Sequence, residues 1–238
     1  DNALAGVEVK SDGCPVVNRN KIRNSSQSGV LVHSGGKGEF TGNVISGSLY
    51  AGVEIRTQGN PKLLMNEIIG SKQAGVSVRD QGLGLIEENV IQGSVMCGVE
   101  ITTGGDPRLS HNRIFDSEQT GVQIHSDGKG TLEWNEIRGH KLNGVEISTC
   151  HSQQPSLKQN RISKCQGNGI YIMHNGSGLL EENEIFDCQL AGIEIVHGSD
   201  PVLRQNCIHS NTGEGVLIHS NARGTLQQNR IFNNHAEA

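Results

Sequence analysis

Short alternating runs of hydrophobic and polar residues recur at a fixed spacing along the whole chain. A glycine followed by Val or Ile, a variable residue and another Val or Ile occurs ten times, with eight spacings of 23 residues and one of 25. These glycines are Gly6, Gly29, Gly52, Gly75, Gly98, Gly121, Gly144, Gly169, Gly192 and Gly215. The alternation predicts a β-strand after each glycine, because successive side chains of a strand point to opposite faces.

An asparagine followed two residues later by isoleucine keeps the same spacing. It occurs at Asn20, Asn43, Asn66, Asn89, Asn112, Asn135, Asn160, Asn183, Asn206 and Asn229. No stretch shows helical periodicity, and β-branched residues dominate both motifs. We predict an all-β, right-handed parallel β-helix, a solenoid of about ten 23-residue coils stacked about 4.8 Å apart. In this fold the Val and Ile positions form interior columns and the asparagines form an inward ladder of amides.

A longer repeat is superimposed on the coils. All five prolines follow alternate glycines, and the intervening units carry Gly-rich turns instead, so the chain reads as five 46-residue duplications. We expect residues 1–238 to form a single solenoid that begins and ends within repeats. A leucine-rich repeat is the alternative, because its repeat length includes 23 residues and Leu157, Asn160 and Ile162 match part of its consensus. The full leucine ladder of that repeat is absent.

The charge, the apolar runs and the cysteine content of the chain argue against some classes of function and favour a location. The chain has 20 Lys and Arg against 25 Asp and Glu, a formal charge of −5, which argues against nucleic-acid binding. No apolar run is long enough to predict a membrane span. The six cysteines form no C-x-x-C motif, which favours a reducing, cytoplasmic and/or nuclear location. Cys165 and Cys188 lie one coil apart, and a disulfide between them is left open.

The outward residue of the Gly-Val-x-Ile strand is glutamate in every odd coil: Glu8, Glu54, Glu100, Glu146 and Glu194. The next outward column is basic in its first half only, so its second half cannot neutralise these glutamates. Acidic and exposed apolar residues together suit a protein partner. The predicted contact residues are Glu100, Glu146, Tyr171, Met173, Glu194, Val196 and Leu217. The alternative is that a loop or another domain covers this face.

Catalysis and metal binding are not expected from the residue pattern. No two Asp residues share a column in adjacent coils, and glutamates on alternate coils lie about 9–10 Å apart, at the upper edge of an inverting carboxylate pair. Five-fold repetition indicates duplication rather than one active site. His33, His125 and His219 share a column but lie at least four coils apart, too far to bind one ion. We therefore expect no catalytic residue, metal or cofactor.

The two-coil unit resembles the repeats of a known family. The segments AGVEIRTQGNPKL, GTLEWNEI and GLLEENEIFD are similar to the β-helical repeats of the F-box only protein 10 and F-box only protein 11 family. This resemblance implies a non-catalytic substrate-recognition module of a Skp1–cullin–F-box ubiquitin ligase. A protein substrate (degron) would bind the lateral strand face, and Skp1 and cullin would bind an F-box outside this chain.

Two alternative functions are open for the same fold. One is a carbohydrate-binding or polysaccharide-processing β-helix, which an activity screen on uronate polymers would reveal. The other is a scaffold β-helix unrelated to ubiquitin.

Overall fold

Three ten-stranded parallel sheets, named here sheets A, B and C, make up the fold. The structure is a computed structural model, and it describes residues 1–148 and 154–235. Within these residues there is no helix, and so none that could cross a membrane.

Each coil contributes one strand to each sheet, and coils are numbered 1 to 10 along the chain. Sheet A consists of β1 Val7–Val9, β4 Val30–Val32, β7 Val53–Ile55, β10 Val76–Val78, β13 Val99–Ile101, β16 Val122–Ile124, β19 Val145–Ser148, β22 Ile170–Met173, β25 Ile193–Ile195 and β28 Val216–Ile218. Sheet B consists of β2 Val16–Asn18, β5 Glu39–Thr41, β8 Lys62–Leu64, β11 Leu85–Glu87, β14 Arg108–Ser110, β17 Thr131–Glu133, β20 Ser156–Lys158, β23 Leu179–Glu181, β26 Val202–Arg204 and β29 Thr225–Gln227. Sheet C consists of β3 Lys21–Arg23, β6 Val44–Ser46, β9 Glu67–Ile69, β12 Val90–Gln92, β15 Arg113–Phe115, β18 Glu136–Arg138, β21 Arg161–Ser163, β24 Glu184–Phe186, β27 Cys207–His209 and β30 Arg230–Phe232.

The strand register confirms that equivalent residues of successive coils stack. Val76 pairs with Val99 in sheet A, and Ile91 pairs with Ile114 in sheet C. Both pairs are fully buried, because the first and third residues of each Val-x-Ile strand and the central residue of each sheet C strand point inward. The leucine-rich-repeat alternative is wrong, since three parallel sheets replace its strand-and-helix unit.

The predicted asparagine ladder is confirmed. The Asn89 side-chain Nδ2 donates to the backbone oxygen of Leu63 at 2.9 Å and to Oδ1 of Asn112 at 3.0 Å. The Asn89 backbone N–H donates to the same Oδ1 at 2.9 Å. Because each buried amide is satisfied by the coils on both sides, the ladder fixes the turn between sheets B and C.

A second buried column lies in the turn between sheets C and A. Serine occupies the first five of its ten positions, and His140 stands in coil 6 and is fully buried. Its Nδ1 accepts from the Ser117 backbone N–H at 3.2 Å, and its Nε2 lies 3.2 Å from the Ile114 carbonyl oxygen, so Nε2 carries the proton. Burial lowers the pKa of His140 to about 4. Cys165 and Cys188, in the same column, carry free thiols, so the disulfide left open above is not formed.

Candidate functional site

The outer face of sheet A carries the glutamates of the odd coils, and four of these five glutamates are held by a side chain from the following coil. His33 Nε2 lies 2.9 Å from Glu8, Arg79 Nε donates to Glu54 at 3.1 Å, and His219 Nε2 lies 3.0 Å from Glu194. His125 Nε2 lies 3.5 Å from Glu100. In each case the partner comes 25 residues after the glutamate, which is one coil plus two residues along the strand.

Glu146 departs from this pattern. Met173 stands where the others have His or Arg, and among the residues that the structure describes Glu146 has no ion pair. Its carboxylate instead accepts from the Gln123 amide at 3.0 Å and the Asn143 amide at 3.3 Å. The negative charge on coil 7 is therefore hydrogen-bonded, and no cation of residues 1–148 or 154–235 pairs with it.

A cleft opens on sheet A across coils 3 to 5. It has a volume of about 320 Å³ and is lined by Tyr50, Ala51, Glu54, Gln73, Ser77, Arg79, Glu100 and Thr102. A smaller recess of about 150 Å³ shares Gln73, Ser77 and Glu100 and extends to Met96 and Cys97. Tyr50 is 49% exposed and forms one wall, so the cleft combines an aromatic wall with a polar floor.

Hydrogen bonds fix the polar floor of the cleft. The Ser77 hydroxyl donates to Glu100 Oε2 at 2.8 Å, and the Ser28 hydroxyl donates to Glu54 Oε2 at 2.7 Å. The hydrogen bond from His125 is the main cause that lowers the pKa of Glu100 below its ordinary value, and Ser77 adds to it while burial opposes it. Glu100 is thus ionised at neutral pH and can act as a base or an acceptor, but not as a proton donor.

Arg79 is the central cation of the cleft. Burial opposes its charge, but the hydrogen bond to Glu54 and the charges of Glu54, Asp80 and Glu100 outweigh that effect and raise the pKa of its guanidinium. Arg79 lies between Glu54 and Glu100 along the coil direction, and these two glutamates are two coils apart, about 9–10 Å on the strand spacing. The floor therefore holds two carboxylates with a fixed cation between them.

The thiol at the edge of the cleft is not a nucleophile. Burial raises the pKa of Cys97 to about 12, so the thiol is neutral at physiological pH. Within the described residues, no group of three or more His, Cys, Asp and Glu side chains could hold a metal ion.

Of the seven predicted contact residues, Glu100 lines the cleft and the other six lie further along sheet A. Tyr171 is half-buried between Glu146 and Glu194, and burial and then these two carboxylates raise the pKa of its hydroxyl. Met173 and Leu217 are also half-buried. The expected exposure of Val196 is wrong, because that side chain is only 1% exposed.

The expectation that the second half of sheet A lacks partners for its glutamates is also wrong in part, since His219 binds Glu194. The contact face as a whole and the cytoplasmic or nuclear location stay predictions. Sequence reasoning missed Tyr50, Gln73 and Arg79 as one cluster. Tyr50 and Gln73 share the position two before the coil glycine, which is large and mostly apolar in odd coils, and Arg79 lies in the outward column that holds the partners of the glutamates.

Comparison with known proteins identifies the fold family. The chain matches the right handed beta helix region over residues 5–149 and 97–238. The periplasmic alginate epimerase AlgG has a similar structure, with a TM-score of 0.83 and 14% identity over 94% of this chain and 61% of that one. The A-module of the Azotobacter vinelandii mannuronan C-5 epimerase AlgE6 has a TM-score of 0.64 and 15% identity, over 87% and 64% of the two chains. Pectate lyase Pel9A has a TM-score of 0.61 and 12% identity, over 99% and 68%.

These likenesses show the fold, and the chain spans about three fifths of the length of AlgG. No curated protein sequence matches the chain significantly. The comparisons correct two expectations from the sequence. The similar structures are an alginate epimerase, a mannuronan C-5 epimerase and a pectate lyase, which contradicts the interpretation as a non-enzymatic ubiquitin-ligase adaptor.

The resemblance to the F-box only protein repeats is not supported beyond the coil pattern that the two share. The family match covers more than half of the chain. The chain therefore belongs to the right-handed β-helix family.

Proposed function

We propose that the chain binds and processes a polysaccharide in the cleft of sheet A across coils 3 to 5. The observation that carries this proposal is the aromatic wall of Tyr50 facing a floor of fixed polar groups. A sugar ring has an apolar face that stacks on an aromatic ring and hydroxyl groups that need both donors and acceptors. Glu54 and Glu100 supply acceptors, while Arg79 and Gln73 supply donors. The polysaccharide-active enzymes of similar fold support the same class of ligand.

The charge state of the floor favours base chemistry over acid chemistry. Glu100 is ionised at neutral pH, so it does not fit the protonated carboxyl group that an inverting hydrolysis needs. Its carboxylate can take a proton from the acidic carbon beside the carboxyl group of a uronate sugar, and because the lowered pKa makes it a weak base, the step needs the resulting anion to be stabilised. Arg79 lies beside it as a fixed positive charge that stabilises the negative charge formed on the sugar. In this proposal Tyr50 positions the ring, Glu100 takes the proton from the carbon beside the uronate carboxyl group and Arg79 stabilises the resulting anion. The anion then either regains a proton from water on its other face or expels the glycosidic oxygen of the neighbouring carbon, which takes up a proton from water. Glu100 returns its own proton to the solvent.

The test measures binding and turnover separately. Binding of alginate, polygalacturonate and a neutral xylan is measured by affinity electrophoresis, and product formation by NMR of the same polymers. Tyr50→Ala should weaken binding about three- to tenfold, the value of one aromatic contact. Glu100→Gln should change the binding affinity by no more than about tenfold and should abolish turnover.

Matched variants on other faces serve as controls. Trp134→Ala removes an aromatic ring that is 53% exposed outside the cleft, and Glu133→Gln removes a carboxylate paired with Arg108 on sheet B. Both should behave like the unmodified chain. Equal losses in control and cleft variants, or no binding of any polymer, would overturn the proposal.

A further inference from the structure

A pocket opens on the outer face of sheet C across coils 6 to 8, on a different sheet from the cleft described above. It has a volume of about 200 Å³, and its deepest lining residue is Ser163, which is only 4% exposed. Ser163 is the last residue of β21, and its strand neighbours are Arg138 in coil 6 and Phe186 in coil 8. The same outward column carries a ring or a guanidinium group in coils 5, 6, 8, 9 and 10, so the short serine leaves a gap in it.

Two arginines that line the pocket are each held against an aromatic ring. The guanidinium carbon of Arg138 lies 4.7 Å from the centre of the Phe115 ring. The guanidinium carbon of Arg161 lies 4.6 Å from the centre of the Phe186 ring, and that ring stacks in turn on His209 with 5.4 Å between the ring centres. Both distances are within the range of a cation–π contact, so the two guanidinium groups are positioned before any ligand binds.

The polar groups that line the pocket keep hydrogen-bond donors without partners. Arg138 Nε donates to Glu136 at 3.0 Å, and Arg161 uses its Nε in the same way for Glu184 at 2.9 Å. Within residues 1–148 and 154–235, the Nη atoms of both arginines form no hydrogen bond, and neither does the hydroxyl group of Ser163. Because Ser163 is buried, its hydroxyl group lacks the partner that buried polar groups nearly always have.

The charges of the lining residues favour an anion. Lys164 is exposed at the rim and forms no ion pair with any other described residue. Together with the two arginines it gives three cations, against the two carboxylates of Glu136 and Asp187. Glu136 is already paired with Arg113 and Arg138, whereas Asp187 has no ion pair in the described part of the chain. On a chain with a net charge of −5, this excess of positive charge and free donors marks a site for an anionic group.

We propose that this pocket binds a tetrahedral oxyanion, the phosphate or sulfate group, between Arg138 and Arg161. The Nη groups of each arginine form a fork that binds two oxygen atoms at once. A tetrahedral group has enough oxygen atoms to engage both forks, with the Ser163 hydroxyl and the Lys164 ammonium as further donors. The two oxygen atoms of a carboxylate are used up by a single fork, so the pocket should discriminate against carboxylates. The site goes beyond the proposed function, which depends on sheet A alone.

The experiment is titration calorimetry of the chain with inorganic phosphate, inorganic sulfate, glucose 6-phosphate and acetate at constant ionic strength. We expect one phosphate or sulfate to bind per chain in a saturable way, and acetate to bind about tenfold more weakly or less, since it forms fewer charge-assisted hydrogen bonds. Glucose 6-phosphate distinguishes the two sources of the group. Affinity equal to that of inorganic phosphate supports a site for a phosphate ester, and much weaker binding supports a site for the free ion.

Substitutions in the pocket test each part of the proposal. Arg138→Gln and Arg161→Gln should each weaken phosphate binding about tenfold or more, because each removes a charge-assisted fork. Ser163→Phe should abolish binding because it fills the pocket. The fold should tolerate this change, since the same column carries phenylalanine in coils 5, 8 and 10. Asp187→Asn should strengthen binding, because it removes a negative charge that repels the anion.

Arg204→Gln is the matched control. Arg204 lies on sheet B, outside the pocket, and its Nε likewise donates to a neighbouring coil, to Gln227 at 3.1 Å. This variant should bind phosphate as the unmodified chain does. The proposal would be overturned if neither phosphate nor sulfate bound in a saturable way, if Arg204→Gln weakened binding as much as the pocket variants do, or if acetate bound as tightly as phosphate. The cleft on sheet A is unchanged in every variant, so none of these outcomes bears on the proposed function.

Discussion

Replacing the buried His140 with asparagine is expected to remove a source of acid sensitivity from the fold. Asn211 occupies the same turn column three coils away and makes the same two bonds. Its Oδ1 accepts from the Cys188 backbone N–H at 3.0 Å, and its Nδ2 donates to the Ile185 carbonyl at 3.4 Å. His140 receives a backbone N–H and faces a carbonyl in the same way, so asparagine preserves both hydrogen bonds without a titratable ring.

The magnitude follows from the lowered pKa of His140. In the unfolded chain the imidazole takes up a proton near pH 6.5, whereas in the folded chain burial delays protonation to about pH 4. As the pH falls through this window the unfolded state binds more protons, so the free energy of unfolding decreases. At 1.36 kcal/mol per pKa unit, the loss is about 3 kcal/mol and is complete below pH 4.

The assay is chemical denaturation of the unmodified chain and of His140→Asn between pH 7 and pH 4. Asparagine is smaller than histidine, so the variant can be less stable at pH 7, and the informative quantity is how the difference changes with pH. As the pH falls from 7 to 4, we expect the unmodified chain to lose about 3 kcal/mol more of its free energy of unfolding than the variant does. His111→Asn, at an exposed turn position, should give no such shift. A difference between His140→Asn and the unmodified chain that is constant with pH would refute the reasoning.

Two further substitutions test the ladder and the glutamate column. Asn112→Ala should lower the free energy of unfolding by about 3 kcal/mol or more in denaturant titration, because it leaves several buried backbone and amide groups without partners. Asn20 is exposed, so Asn20→Ala should lower the free energy of unfolding clearly less. Equal losses in the two variants would contradict the buried ladder as the source of the stability. Met173→Arg should place a cation beside Glu146, which has no ion pair within the described part of the chain, and raise stability by less than about 1 kcal/mol. That gain should disappear at high salt in a thermal melt, and a salt-independent gain would contradict an ion pair.

The coil architecture was predictable because it depends on residues that have only one physical role in a stack. A glycine such as Gly75 is required where an added Cβ would lie 2.4 Å from Ile91 Cγ2 and 2.6 Å from the Gly98 oxygen. A buried asparagine such as Asn89 is required where both neighbouring coils need an amide. These constraints repeat at every coil, so the period alone revealed them.

The functional surface was less predictable because the coil leaves outward residues unconstrained. The similarity to F-box only protein repeats lies in the Gly, Val, Asn and Ile positions that build a coil, which any right-handed β-helix shares. The pairing of His219 with Glu194 was also not predicted, because the two residues lie in different outward columns and in successive coils. Val196 was expected outside because strand alternation was extended one residue past Ile195, the end of β25, where the chain enters the turn.

The hydrogen bonds of the asparagine ladder all point the same way, so the two ends of the rod are chemically different. In each step the lower-numbered asparagine donates and the higher-numbered one accepts, as between Asn43 and Asn66 and between Asn160 and Asn183. On its higher-numbered side each coil therefore presents N–H groups that need an oxygen from the next coil. A segment stacked in the opposite direction would set donor against donor.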